Sequence, residues 1–498
     1  MSVLVANRGE IAVRVVRAAQ EAGLAAVVAV TRDETDSLAA RLAGTVHVLP
    51  GAGPGAYLDA AALVAAAREH GCTMLHPGYG FLSEHPDLAR ACEAAGVTFV
   101  GPASHLLALF GDKGAARRAA QEVGVPVLPA TAVGIGQDEA VAFAAAQHPA
   151  GVMVKAAAGG GGRGMRAVPA GEDVAEAWRR AGSEAERSSG SSALFAELYL
   201  ERARHVEVQV VGDGTGAVTT LGERDCTLQR RFQKVLEVAP APDLPEQVRT
   251  HLAEASAALL RGRGYRGLAT VELLLDADDP TRWWFIEVNP RLQVEHPVTE
   301  MVTGVDLVLA QLRLAQGASL ADLGLQTSPV VRGSAVELRV AAERVGAGGE
   351  SFAAQGVVDE LVLPAGPGTR VDTHLVPGTR LEGTFDSLVA KVVTHSQVDL
   401  AAALGKARQA AEQMVVGGVE TNLPVLRAVL DHDDLAAWRV TTRWIEGSGV
   451  LDGLGGTHEA GDGRVLAETT GTVVDLLVAP GDRVEPGAPL LVLEAMKM

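Results

Sequence analysis

Through its first 110 residues the chain alternates short, wholly apolar runs with alanine-rich helical stretches, and this alternation narrows the possible folds more than any other feature. Residues 3–6 (Val-Leu-Val-Ala), 27–30 (Val-Val-Ala-Val), 46–49, 74–76 and 97–100 read as strands, and 11–22 and 57–70 as helices between them. Buried strands separated by helices predict an open parallel α/β sheet. Polar or glycine-bearing turns follow the first strand (Asn7-Arg8-Gly9-Glu10) and the fourth (Pro77-Gly78-Tyr79-Gly80). Ligands of such sheets collect at these carboxyl ends.

From about residue 151 the period changes. Residues 152–155 and 166–168 flank a glycine loop, as in a hairpin with an oversized tip. Residues 205–211 alternate strictly, with Val206, Val208 and Val210 on one strand face and His205, Glu207 and Gln209 on the other. Residues 268–275 and 283–288 predict a strand pair around the turn 276–282, and short strands from 333 to about 394 precede an amphipathic helix over 399–414. Residues 447–463 are glycine-rich and polar and read as a linker. Two more strands, 471–478 and 490–494, flank the turn 480–487.

Composition enters as a set of exclusions. A chain of 498 residues, 48% hydrophobic, has the apolar side chains for two to four packed domains and is not disordered. No apolar run approaches the roughly 18 residues of a membrane span, and the N-terminus lacks the basic region of a signal peptide. Cys72, Cys92 and Cys226 lie far apart and fit reduced thiols, so a cytoplasmic location is expected. A net charge of −18 disfavours nucleic acid and anionic membrane as partners. Of 43 basic residues only six are lysines: Lys113, Lys155, Lys234, Lys391, Lys406 and Lys497. Codon bias accounts for the excess of arginine, and it makes each retained lysine a marker for a compact charge or a primary amine.

Three segments carry chemistry. KAAAGGGGRGMR (155–166) exposes consecutive backbone N–H groups that suit a polyphosphate; a linker has the same glycine content, but Lys155, Arg163 and Arg166 favour the cradle. Glu272 lies on one predicted strand, and Glu287 and Asn289, two apart, share a face of the next. If the hairpin pairs around 276–282, two carboxylates and an amide meet on one surface, a donor set that suits Mg²⁺. Ordinary acids on a solvated edge are the alternative, but Val271, Leu273, Phe285 and Ile286 make these core strands, where acids need partners. Then comes NPRLQVEHPVTE (289–300), in which Arg291 suits a small oxyanion and Glu295 a proton-abstracting base. His296 precedes a proline and is assigned a structural role.

These residues carry a family likeness. The chain resembles the biotin carboxylase component of biotin-dependent, acyl-CoA carboxylase-type enzymes, within the ATP-grasp superfamily. Besides the segments above, the matching stretches are ANRGEIAVRVVRAA (6–19), HPGYGFLSE (76–84), GDK (111–113), RHVEVQV (204–210), ERDCTLQRRFQK (223–234), EVNPRLQVEHPVTEM (287–301), AVELRVAAE (335–343), FDSLVAK (385–391) and GVETN (418–422). The resemblance implies an α/β pre-ATP-grasp parallel sheet (1–111), an ATP-grasp domain (112–330, lid about 131–203) and a β-rich C-terminal cap (331–446). A linker (447–463) and part of an all-β biotinyl domain (464–498) follow. By position it gives Lys113, Lys155, Gly161 and Gly162 to the ATP phosphates, Glu197, Leu198, Tyr199 and Leu200 to the adenine hinge, and His205 to the ribose side. Glu272, Glu287 and Asn289 would hold Mg²⁺ or Mn²⁺. Lys234, Arg291, Gln293 and Val294 would line a bicarbonate pocket, with Glu295 as base and Arg339 meeting biotin.

EAMKM (494–498) resembles the biotin attachment site of a carrier domain, which makes Lys497 the biotinylated residue. The chain stops one residue beyond it, so the expectation is half a carrier domain, cut from a longer polypeptide. The implied reaction is ATP-dependent carboxylation of carrier-bound biotin by bicarbonate through carboxyphosphate, an ADP-forming ligation. The implied partners are a biotin ligase and a carboxyltransferase domain or subunit, in a homodimer or larger assembly. Three positions depart from the family pattern. Ala157-Ala158 replace Ser-Gly, Phe232 replaces a histidine that contacts nucleotide, and Leu198 replaces a hinge lysine. Two rival readings stay open: another ATP-grasp ligase, which has no use for EAMKM or QVEHPVTE, and a weakened carrier or scaffold, favoured only by Ala157, Ala158 and Phe232.

Overall fold

Five strands, β1 (Ser2–Val5), β2 (Ala25–Val30), β3 (Val46–Val48), β4 (Met74–His76) and β5 (Thr98–Phe99), form a parallel sheet in the order β3-β2-β1-β4-β5. The computed structural model to which they belong describes residues 1–157, 165–189, 191–346, 351–454, 472–484 and 488–494. Both faces are covered, which is why the strands read as continuous apolar runs. Val3, Val5, Val28 and Val30 cluster with helix Gly9–Glu21, while Leu4, Ala6, Val27 and Ala29 cluster with helices Ala60–Glu69 and Pro86–Ala95. The expected helix over 57–70 starts later because Asp59 caps it, its carboxylate accepting from Ala62 N–H at 2.9 Å; Pro54–Leu58 before it is a 3-10 turn. At the strand-order reversal Asn7 Nδ2 donates to Pro77 O (2.7 Å) and Tyr79 O (2.8 Å), tying the two polar turns together. Gly78 sits there at φ +64, and a Cβ would come within 2.9 Å of Asn7 Nδ2.

A second, small sheet has the order β7-β6-β8: β6 (Gly151–Ala156), β7 (Met165–Val168) and β8 (Leu194–Tyr199). Helices Gln137–Gln147 and Val174–Ser189 pack on it through Ala140, Val152, Val154, Trp178 and Ala181. The β6–β7 hairpin pairs Lys155 with Met165, as the sequence predicts, and its glycine tip, including Gly161 and Gly162, lies outside the described residues.

The third sheet is antiparallel and eight-stranded. Its strands are β9 (Ala203–Asp213), β10 (Val218–Arg230), β11 (Gln233–Ala239), β12 (Arg266–Asp276), β13 (Trp283–Asn289), β14 (Ser334–Ala341), β15 (Thr369–Thr373) and β16 (Leu388–Ser396), in the order β13-β12-β9-β10-β11-β14-β16-β15. Val206, Val208, Val210, Val271, Leu273 and Leu275 bury one face against helices Glu246–Leu260, Ser104–Gly111 and Lys113–Glu122. Farther along, Leu236, Leu338 and Val392 pack against helices Leu400–Gln413 and Leu423–Asp431. Pairing of β11 with β14 carries the sheet through the boundary expected at 330/331 without a break.

Two last strands, β17 (Thr472–Leu476) and β18 (Leu491–Glu494), pair antiparallel, Thr472 opposite Glu494. Lys497 lies outside the described residues. Among the described residues, Cys72, Cys92 and Cys226 are buried and free, and no helix is long and apolar enough to cross a membrane.

Candidate active site

The polar face of the eight-stranded sheet carries a cross-strand row of charges. Glu287 on β13 stands opposite Glu272 on β12, Glu272 opposite Glu207 on β9, and Glu207 opposite Arg224 on β10. Period-two alternation along each strand puts apolar neighbours on the other face, so the row is local sequence made adjacent by register. Like charges directly opposite repel, and Glu207, Glu272 and Arg224 are buried, with Glu287 half-buried beside them. Cations must therefore sit among them.

Two do so directly. Arg224, fully buried, donates from Nε to Glu207 Oε1 (2.6 Å), and its other nitrogens reach Gln209 Oε1 (2.8 Å), Thr299 Oγ1 (2.9 Å) and Thr270 Oγ1 (3.0 Å). Lys234 reaches three acids, donating to Glu207 Oε2 (2.7 Å), Glu272 Oε1 (3.3 Å) and, in a closer contact, Glu295 Oε1. Burial would lower the pKa of this lysine, but the surrounding anions hold it well above its usual value. His205 is a third partner: Nε2 lies 2.8 Å from Glu272 Oε2, and Nδ1 lies 2.7 Å from Gln229 Nε2. Burial opposes a charge on this imidazole, but Glu272 raises its pKa. The structure thus sets His205 among the sheet acids.

Glu272 is the most heavily paired acid, also accepting from Asn289 Nδ2 (2.9 Å) and Gln293 Nε2 (3.0 Å). Burial opposes its ionisation, yet Lys234 and His205 hold its carboxyl far below the ordinary range. Glu287 differs. Its contact is Asn289 Nδ2 at 3.5 Å, and burial followed by the charge of Glu272 pushes its pKa up, with Lys113 opposing. Asn289 therefore points its amide nitrogen at both carboxylates, while its Oδ1 accepts from Arg291 Nη2 at 3.1 Å. In this orientation the amide presents a donor to the two acids, and holding a cation through its oxygen would require the amide to turn over.

The loop after β13 brings in the expected anion-binding residues. Arg291 pairs with Glu84, from the turn after β4, and donates to Leu292 O at 3.0 Å. Glu295 is fully buried: Oε1 accepts from Lys234 and Oε2 from Arg339 Nη2 at 2.9 Å. Burial alone would raise its pKa, but Lys234, Arg339 and Arg224 hold it well below the usual carboxylate range, so Glu295 is ionised at neutral pH. Arg339 also donates to Glu237, which stands opposite Glu337 in the β11–β14 ladder. Val294 carries its part through its backbone: its carbonyl accepts from Lys391 Nζ at 3.0 Å, and that ammonium lies 3.0 Å from Glu10 Oε1. His296 Nδ1 donates to the Gln293 carbonyl (2.7 Å) at the start of helix His296–Thr303, in keeping with a structural role.

On the lid side, Glu197 of β8 pairs with both Lys155 of β6 and Arg117. Lys113 is half-buried at the start of its helix, where desolvation lowers its pKa and Glu287 opposes that. Leu198 N–H donates to Pro129 O (2.8 Å), Tyr199 Oη accepts from Arg443 Nη1 (3.1 Å), and Leu200 follows the strand end, half-buried. Ala157 N–H donates to Ala193 O at 2.9 Å. Phe232 sits with Arg231 at the β10–β11 hairpin tip, both at positive φ, and is exposed.

Sequence reasoning left Glu207, Arg224, Glu84, Glu237 and Lys391 without roles. Glu207 and Lys391 each carried a signal, the polar face of 205–211 and the scarcity of lysine. Nothing local marks Arg224 as the partner of Glu207, or Glu84 as the partner of Arg291.

Comparison with known proteins identifies what the chain is similar to. Three family models match in succession: "Biotin carboxylase, N-terminal domain" over residues 1–107, "Carbamoyl-phosphate synthase L chain, ATP binding domain" over 112–323, and "Biotin carboxylase C-terminal domain" over 337–447. The biotin carboxylase of Pseudomonas aeruginosa is 41% identical over 425 residues, covering 84% of this chain and 92% of the relative. Pyruvate carboxylase 1 of Caenorhabditis elegans is 43% identical over 450 residues, covering 89% of this chain but only 38% of the relative. The chain thus spans about two fifths of the pyruvate carboxylases it matches. Among solved structures, the biotin carboxylase domain dimer of the Hydrogenobacter thermophilus 2-oxoglutarate carboxylase, in complex with MgADP, ADP and bicarbonate, superimposes with a TM-score of 0.85 at 35% identity, covering 91% of this chain and 98% of that one.

Proposed function

The chain belongs to the biotin carboxylase family, and from that premise we propose that residues 1–446 use ATP and bicarbonate on the polar face of the eight-stranded sheet to carboxylate biotin presented by a carrier. The observation that carries this reading is the convergence of the acidic row, Lys234 and the 291–295 loop on one buried surface. The donor set fits a hard divalent cation: Glu272, Glu287 and the Asn289 oxygen would hold it, and it would neutralise phosphate charge during phosphoryl transfer. The pKa of Glu287, raised by burial and by the charge of Glu272, marks a carboxylate short of positive partners.

The roles of the remaining residues follow from their surroundings. Lys113 and Lys155, with Gly161 and Gly162, would contact the nucleotide phosphates; Glu197 would keep Lys155 aligned, with Leu198, Tyr199 and Leu200 beside the base. Arg291, Lys234, Gln293 and the Val294 backbone would hold bicarbonate. Glu295, already ionised, would take its proton once an anion has drawn Lys234 and Arg339 away. Arg339 would then face the developing negative oxygen of the biotin ureido group. Phosphoryl transfer needs little covalent chemistry from the protein, so positioning and charge dominate the list.

The relatives' names carry different acceptors, pyruvate and 2-oxoglutarate, on closely similar domains, so this site does not select the final acceptor. We further propose biotin on Lys497, modification by a biotin ligase, transfer to a carboxyltransferase domain or subunit, and the dimeric assembly found in the Hydrogenobacter thermophilus domain. The test is ATP hydrolysis by the full chain with and without bicarbonate and free biotin. Glu295→Gln should lose the bicarbonate-dependent part by roughly 10²–10⁴-fold while retaining nucleotide binding. Loss of nucleotide binding as well would assign Glu295 a structural role.

A further inference from the structure

At the opposite edge of the parallel sheet, away from the residues assigned to the reaction, two imidazoles and a carboxylate converge. His47 lies in the edge strand β3, and His70 follows helix Ala60–Glu69, whose last residue is Glu69. His47 Nδ1 is 3.3 Å from His70 Nε2 and 3.8 Å from Glu69 Oε2. All three ligand atoms lie within 4.8 Å of one another. The geometry points to a divalent transition-metal site, of the zinc class, made by His47, Glu69 and His70.

Three physical arguments support it. Zinc–imidazole bonds of about 2.0–2.1 Å at a tetrahedral angle place the two nitrogens about 3.3–3.4 Å apart. The observed 3.3 Å matches that edge and is longer than an ordinary N–H donor distance of about 2.9–3.0 Å. The carboxylate, 3.8 Å from His47 and within 4.8 Å of His70, has to close by about an ångström, which the exposed Glu69 side chain does by rotating. Second, Glu69 and His70 sit at the carboxyl end of a helix, whose dipole favours a cation. Third, the donor set is two nitrogens and one oxygen. Zn²⁺, Co²⁺ and Ni²⁺ prefer it, whereas Mg²⁺ prefers the all-oxygen set beside Glu272 and Glu287, so the two sites sort different ions.

Three protein ligands leave a fourth position for water or an external donor. The site would pin β3, whose outer side is an unpaired strand edge, to the end of helix Ala60–Glu69, in a region remote in sequence from every residue assigned to the reaction.

The experiment is titration of the full chain with Zn²⁺ by calorimetry in the presence of excess Mg²⁺ and ATP, which occupy the sheet site. One equivalent of zinc is expected, raising the thermal midpoint; His47→Ala and His70→Ala should each remove it while bicarbonate-dependent ATP hydrolysis persists. The unaltered protein gives a second readout: Co²⁺ bound by two imidazoles and a carboxylate shows the intense visible bands of a four-coordinate ion. Zinc uptake that is the same in both variants, no uptake at all, or a Co²⁺ spectrum of the six-coordinate aquo type would each overturn the assignment.

Discussion

Replacing Lys391 by methionine is the most informative single change, because this lysine touches three parts of the molecule at one point. Its ammonium is fully buried, 3.0 Å from Glu10 in the first helix and 3.0 Å from the carbonyl of Val294, one residue before Glu295. Tyr79, after β4, donates its hydroxyl to the same Glu10. Removing one partner of such a buried pair leaves the other charge unsatisfied and costs about 3–5 kcal/mol. With an unfolding entropy of about 2.1 cal/mol/K per residue over roughly 450 residues, each kcal/mol is worth roughly 1 °C, and the melting midpoint should fall by roughly 3–5 °C. The deficit should shrink on acidification. Burial already raises the pKa of Glu10 against the opposing charge of Lys391, so without the lysine Glu10 takes up a proton more readily and the charge disappears as pH falls. Glu10→Gln on top of Lys391→Met should recover most of the loss, because two neutral groups replace a broken pair. The Val294 carbonyl stays without its donor even then. The double variant should therefore show a raised KM for bicarbonate with the KM for ATP little changed. Calorimetry on the four proteins of the cycle, with steady-state kinetics on the double variant, decides it. If the two single effects add to within about 0.5 kcal/mol, the pair is not coupled and the reasoning fails.

Glu287→Gln should raise the Mg²⁺ concentration needed for half-maximal ATP hydrolysis without lowering the melting midpoint, since this acid is the least paired of the row; unchanged activity at limiting Mg²⁺ would count against the metal assignment. Glu237, pushed up to about 7 by burial against the opposing pull of Arg339, binds its proton more tightly folded than unfolded. Its contribution to stability is complete below about pH 4.5 and is lost as pH rises through 7, a change of about 3 kcal/mol. Relative to the unaltered chain, Glu237→Gln should gain stability between pH 5 and pH 8.5, and a pH-independent difference in denaturation would exclude this. Lys497→Arg should abolish streptavidin-detectable biotin in a chain extended beyond residue 498, because arginine keeps the charge and lacks the primary amine; biotin persisting by mass spectrometry on Lys391 or Lys406 would refute the carrier reading.

Local periodicity determined a good part of this protein on its own. Apolar runs between helices specified the parallel sheet, and the alternation in 205–211 specified which face of β9 is polar. The short turn 276–282 pairs Leu273 with Phe285 and so brings Glu272 close to Glu287, but it is a bulge at Ile286, which loop length does not specify, that sets the two acids directly opposite each other. The anion-binding loop was legible because its residues are contiguous. Tertiary structure alone decided which cation answers which acid. Lys234 serves Glu207, Glu272 and Glu295; Arg291 goes to Glu84, 207 residues away; and Lys391 meets Glu10. It also ran one sheet through the expected boundary near 330. Strand and helix periods repeat over a few residues and are written in neighbouring side chains. The pairing of strands hundreds of residues apart depends on how whole faces bury against each other, and once that burial has brought charges into a medium that screens them poorly, each must find an opposite charge or lose its own.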